Sequence, residues 1–260
     1  MNKIAVIITT FLRDDSLRKC LNSLICNIPN NDHIIIVDQG NKVDVVLKDE
    51  EAKKRVHYKK IPFNSGLSMA RNVGVSIANK LNCEYVVMGS DSFLFGMSIN
   101  NINYLADNYL FGQDIIGFEL SGCKCGWEAM IDLIPEKNFI LDFIEKTPEN
   151  SISDMIKLYK CEIMRNFFIA KTQVLLDTPW DEDLKLGEHE DEFWRLKEKG
   201  IKCAWTDFIK AQKMNIHNAE YMKYRQQNFN GGLAKIKEKY GISGWVKYKH
   251  LERARIDVAI

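Results

Sequence analysis

The sequence predicts an α/β fold, a mostly parallel β-sheet covered by helices on both faces. Two observations carry this reading. Short apolar runs rich in β-branched residues (IAVII at 4–8, IIIVD at 34–38, YVVMG at 85–89) alternate with stretches whose apolar residues recur at helical spacing. Each run is apolar throughout, as in strands buried on both faces, and each ends in polar residues. A chain of 260 residues, 46% hydrophobic with five prolines, is long and apolar enough for one large folded domain.

Taken in order, IAVII is a first strand broken by TTFLRDD. Leu17, Cys20, Leu21, Leu24 and Ile25 then mark a helix that Asp14, Asp15 or Ser16 would cap. IIIVD is a second strand ending at Gln39-Gly40, and VHYKKI a third. NSGLSMARNVGVSIANKL carries Leu67, Ala70, Val73, Ile77 and Leu81 on one helical face, and EYVVMGSDSFLF supplies a fourth strand. Further on, helical patterns near 98–111 and 136–146 flank a strand at 114–119. NFFIAKTQVL (166–175) reads as buried, and an acidic helix follows, closed by Gly200 before the strand IKCAW. From 219 the tail reads as helical, aromatic and basic, giving a main domain at 1–218 and a packed helical extension at 219–260.

Charge excludes some partners. Lys plus Arg (36) nearly cancels Asp plus Glu (35), so no basic excess nominates nucleic acid. No apolar run is long enough to span a bilayer, and MNKIAVIITTFLRDD lacks a small-residue cleavage site. Seven scattered cysteines point to reduced thiols in a cytoplasmic protein, and the Cys123-Lys-Cys125 pair lacks the spacing of a zinc site. In open parallel sheets, ligands bind at the carboxyl ends of the strands. Thr9, Thr10, Asp38, Gln39, Ser90, Asp91 and Ser92 end three such strands and are expected to converge on one crevice.

VIITTFLRDDSLRKCLNSL, IIIVD, NSGLSMARNVGV, YVVMGSDSF and GEHEDEFWRLKEKG stand in the order found in GT-A-fold glycosyltransferases of the family-2 type, which the chain resembles over residues 3–217. The segment from 162 to 194 more narrowly resembles β-1,4-N-acetylgalactosaminyltransferases of the ganglioside type and their bacterial relatives. The resemblance implies a GT-A fold and a UDP-sugar donor, with GalNAc or a related hexose passed to a glycan or glycolipid hydroxyl. It implies donor contacts from Thr9, Thr10, Asp38 (to the base), Arg71 (to phosphate), Asn72 (to ribose, or holding the loop), Ser90 and Asp91. It also implies Mn2+ or Mg2+ bridging carboxylate and diphosphate. Relatives carry a string of aspartates where this chain has GSDS, so Asp91 and the later His217 are the metal ligands to expect. That erosion also raises a second reading, a silent nucleotide-sugar-binding homologue.

In LGEHEDEFWRLKEKG, four carboxylates surround His189 at a helix start, where the partial positive charge of the N-terminus favours them. The resemblance puts the base of an inverting transfer at Asp191, with Glu190 as the alternative; crowding would raise one carboxyl's pKa and suit it to accept a proton. Glu188, Trp127 and Trp194 are candidates for the acceptor or sugar, the tryptophans also being ordinary core residues. The tail SGWVKYKHLERARIDV, as a basic aromatic helix, could lie on the inner face of an anionic membrane or pack on the domain.

Overall fold

The computed structural model describes residues 3–40, 54–122, 128–133, 138–152, 156–185, 187–215, 218–249 and 256–257. The elements begin with β1 (Ile4–Thr10), α1 (Asp14–Asn27), β2 (His33–Asp38), β3 (Val56–Lys60), α2 (Leu67–Lys80), β4 (Tyr85–Ser90), β5 (Phe93–Phe95), α3 (Ile102–Asp107) and β6 (Ile115–Ser121). After β7 (Ala129–Leu133), β8 (Asn138–Phe143), β9 (Leu158–Lys160), β10 (Phe168–Lys171) and α4 (Thr172–Asp177) comes the acidic helix α5 (Glu188–Glu198). The chain then runs through β11 (Cys203–Lys213), α6 (Ala219–Tyr240), β12 (Gly244–Lys249) and β13 (Ile256–Asp257).

The central sheet has the order β3-β2-β1-β4-β10-β6-β11-β5, with β9 beside β11. β3, β2, β1 and β4 are mutually parallel, and the antiparallel β10 joins them to the parallel pair β6 and β11. β1 is buried along its whole length because it feeds two cores. Ala5 and Ile7 face one of them, while Ile4, Val6 and Ile8 face the other. The register sets Thr10 beside Asp38 and Thr9 beside Ser90, so the strand tips end level.

At the start of α1 the capping position is taken by Arg13, with no side-chain cap; Asp14 and Asp15 lie in the first turn, where the helix dipole favours them. Two expected helices are strands. Residues 138–143 alternate between buried Phe139 and Leu141 and half-buried neighbours, a period of two, and pair with β7. The tail remains helical only to Tyr240, where Gly241 adopts φ 60° and ends α6. Residues 244–249 are then β12, parallel to β8 in a second sheet of order β13-β12-β8-β7. The helix expected there is replaced, over the described residues, by sheet pairing. No helix among the described residues is long and apolar enough to cross a membrane.

Candidate active site

A cleft of about 370 Å³ opens at the carboxyl ends of β1 and β4. Thr9 and Thr10 at the tip of β1, and Gly89 and Ser90 at the tip of β4, form part of its wall, joined by Ser92. Gly66, Leu67 and Arg71 enter from the first turns of α2, and His189 from the first turn of α5. Tyr221, Tyr224 and Arg225, spaced three and four apart on α6, present one helical face to the same space. Gly66 has φ 99°, a conformation that glycine adopts without strain, and its N–H donates to Gln39 Oε1 at 2.6 Å.

The charge of the lining is one-sided. Arg13, Arg71, Arg165, Lys185, Lys213 and Arg225 line the cleft, and among the described residues no carboxylate belongs to the lining. Asp91 lies just beneath, fully buried. One of its oxygens meets Arg13 at 2.5 Å and accepts from Ser90 Oγ at 3.2 Å; the other accepts from Thr10 Oγ1 at 2.7 Å. Burial pushes the Asp91 carboxyl up, and Arg13 with the two hydroxyls pulls it back. Arg71 pairs with Glu188 at 3.1 Å and stands over the Trp180 ring. His189, partly open to the cleft, is held neutral with its pKa lowered to about 3 by desolvation and by the charges of Arg71 and Arg165.

Strand tips carrying hydroxyls and a cation-rich wall make a receptor for a polyanion at the mouth of a parallel sheet. Residues 5–92 match the family model for glycosyl transferase family 2. The fold is GT-A-like. Among solved structures, GalNAc-T7 with UDP, GalNAc and Mn2+ superposes with a TM-score of 0.64 at 13% identity, over 94% of this chain and 55% of that one. S. aureus TarS 1-349 gives 0.57 at 17% identity, over 82% and 60% of the two chains. Its complex with UDP-GlcNAc gives 0.56 at 14%, over 83% and 59%. The chain thus spans about 55–60% of the length of these three, and the likeness concerns the fold. No curated protein sequence matches it.

Within this GT-A-like fold, Thr9, Thr10, Ser90 and Arg71 stand on the cleft as expected. Asp38 does not. It is buried, accepting from the Gly40 N–H at 2.7 Å and the Tyr58 hydroxyl at 2.6 Å with Lys60 at 3.3 Å, and its neighbour Gln39 faces the cleft. Asn72 holds the loop: its amide donates to Trp180 O at 2.9 Å and to Glu182 Oε1 at 3.0 Å, and its oxygen accepts from Trp180 N. Glu188 is buried against Arg71. Trp194 packs on Phe139 and Tyr240 rather than lining the cleft. Trp127 and His217 lie outside the described residues.

Asp191, expected as the base, is 0% exposed and turned toward α6. It accepts from Tyr240 Oη at 2.7 Å and Arg195 Nε at 2.9 Å, and Lys239 Nζ stands 2.7 Å away. Three donors engage both of its oxygens, so it ties the end of α6 to α5. Glu190 is half-buried and outside the lining. Among the four carboxylates the upward shift falls on Glu192, raised to about 7 by burial and by Asp191 against the pull of Arg195; this side chain too is sealed, paired with Arg195.

Sequence reasoning missed His189 as a cleft residue, together with Arg13, Arg165, Lys185, Lys213 and the α6 trio. The spacing of Tyr221, Tyr224 and Arg225 was the one available signal, since the cations arrive singly from separate elements. The divalent cation that the resemblance implies does not fit the residues described. Both oxygens of Asp91 are engaged, the lining is cationic, and among the described residues no three His, Cys, Asp or Glu side chains converge as metal ligands.

Proposed function

We propose that the chain is a glycosyltransferase that moves a sugar from a UDP-sugar to a hydroxyl of a glycan or glycolipid acceptor. The observation that carries the reading is the cleft itself: six cationic side chains and the hydroxyls of Thr9, Thr10, Ser90 and Ser92 line a pocket at the strand tips of a GT-A-like fold. Guanidinium and ammonium groups there would hold a diphosphate and stabilise the charge that develops as it leaves. UDP as the nucleotude carrier draws support from TarS, a structure of which is a complex with UDP-GlcNAc. The narrower resemblance over 162–194 favours GalNAc or a related hexose as the sugar. In this reading residues 1–218 form the catalytic unit, and the extension from 219 completes the cleft through α6.

An inverting transfer needs a group to receive the acceptor's proton as the hydroxyl attacks the anomeric carbon. His189 is the member of the α5 cluster on the cleft, already neutral, and takes that role here in place of Asp191. Desolvation is the larger cause of its lowered basicity, and diphosphate bound near Arg71 and Arg165 would offset the lesser contribution of their charges. The sealed state of Asp191 also favours a second reading, a homologue that binds nucleotide sugars without turning them over. A panel of UDP-sugars assayed for UDP release with glycan acceptors separates the two. Turnover of one donor supports the transferase; tight UDP binding with no release from any donor supports the silent homologue.

A further inference from the structure

GT-A enzymes that use an aspartate motif hold the donor diphosphate through a divalent cation, because two carboxylates and a pyrophosphate repel one another without one. This cleft inverts that charge pattern. The carboxylate that follows β4, Asp91, lies buried beneath the cleft with both oxygens engaged. Arg13 meets one oxygen of Asp91 at 2.5 Å and Thr10 donates to the other at 2.7 Å, while the carboxylate is wholly shielded.

Arg13 itself is built into position. It sits at the turn between β1 and α1, its guanidinium lies 4.3 Å from the centre of the Tyr221 ring, and its side chain is 14% exposed on the cleft wall. Its Nε–H has no acceptor among the described residues. A guanidinium carries five donors in a fixed fork, so pairing with Asp91 leaves capacity for phosphate oxygens. Tyr221 is positioned in turn by α6, whose capping residue Asn218 accepts from the Tyr221 N–H at 2.9 Å and donates to the Leu12 carbonyl. A dication entering this cleft would meet, among the described residues, six cationic side chains and no lining carboxylate.

We infer that Arg13, clamped by Asp91 and Tyr221, replaces the divalent cation, and that this cleft binds the diphosphate of its donor without metal. The inference rests on the proposed reading of the cleft as a nucleoside-diphosphate site. Arg13 bridges carboxylate and diphosphate as a metal would, and Arg71 and Arg165, which line the same cleft, supply further charge. The eroded aspartate motif is then the complement of an arginine one turn after β1, since an additional carboxylate would compete with the phosphates for that guanidinium.

Titration calorimetry of the full chain with UDP, in excess EDTA and then in saturating Mn2+, tests this. The expected result is a dissociation constant that agrees within about threefold between the two conditions. Binding seen only with Mn2+ would overturn the inference while sparing the nucleotide-site reading. No UDP binding in either condition would overturn both. Arg13→Met should weaken metal-free UDP binding by roughly 10-fold to 100-fold. Because that variant leaves Asp91 buried without its partner, Arg13→Met/Asp91→Asn, which removes both charges, is the companion. A folded double variant that keeps wild-type UDP affinity in EDTA would refute the role of Arg13; the same 10-fold or greater loss supports it.

Discussion

Replacing Asp191 with asparagine distinguishes a carboxylate that accepts a proton from one that holds two helices together. Asparagine keeps the volume and one acceptor oxygen but removes the charge that faces Arg195, Lys239 and the Tyr240 hydroxyl. Breaking a buried ion pair costs about 3–5 kcal/mol when the partner is left buried and unpaired. Here the partners are less stranded. Arg195 and Lys239 are 23% and 35% exposed and keep Glu192 and Asp181 respectively. A loss of about 2 kcal/mol is the reasonable expectation after that discount. For a chain of this size, that lowers the melting temperature by roughly 4–8 °C. Differential scanning fluorimetry reads the shift, and UDP release at 25 °C, well below the transition, reads catalysis. The sealed geometry predicts a clear fall in melting temperature with turnover kept within about threefold, whereas loss of a general base costs about 10²–10⁴ in rate. An unchanged melting temperature with turnover down a hundredfold would refute the structural role and restore Asp191 as the base.

His189→Gln is expected to lower kcat by about 10²-fold while leaving the UDP dissociation constant within about threefold; equal losses in both would reduce His189 to a wall residue. Glu192 keeps its proton in the native state up to about pH 7, while the unfolded chain releases it near the ordinary value of 4.5. The native state therefore binds the extra proton between those values, and its stability falls as pH rises through that window, by up to about 3 kcal/mol. Glu192→Gln should flatten the fall, seen as a stability gain over the parent at pH 8 that fades toward pH 5 in urea titrations; an equal change at both pH values would refute it. In Gly74→Ala, the added Cβ would stand 2.5 Å from Ile7 Cγ2, where α2 crosses β1. Overpacking there should cost about 1–3 kcal/mol by the same titrations, and a neutral result would mean that helix and strand are not so closely packed.

The first 95 residues were legible because strands buried on both faces leave uninterrupted apolar runs, and β1, β2 and β4 are such strands. The second sheet was not. Its strand NFILDF places Phe139 and Leu141 in the core, but Phe139, Ile140 and Leu141 form one apolar run in the sequence, so six residues show no period of two to set against a helical turn. At the site, sequence located the tips but not the directions. Thr10 and Asp38 are register partners at adjacent tips, yet Thr10 lines the cleft and Asp38 is tied to Gly40, Tyr58 and Lys60. Which side of a strand a terminal side chain takes depends on the loop that follows, and the neighbour Gln39, itself buried, took the place on the cleft wall.

In the acidic run, the charge pattern marks the cluster without saying which member reaches the cleft. One carboxyl is raised toward neutrality, but by burial first and by the charge of Asp191 only second, and the one raised is Glu192, sealed beside Arg195. Each buried member has its own cation: Arg71 for Glu188, Arg195 and Lys239 for Asp191, and Arg195 again for Glu192. Such a cluster is what anchors the helix start against α2 on one side and the end of α6 on the other. A perturbed pKa marks a crowded place, whereas a proton acceptor must also reach the substrate. With the buried carboxylates committed to holding α5, the imidazole of His189 is the group this helix turns to the cleft, and the proton transfer proposed here rests on it.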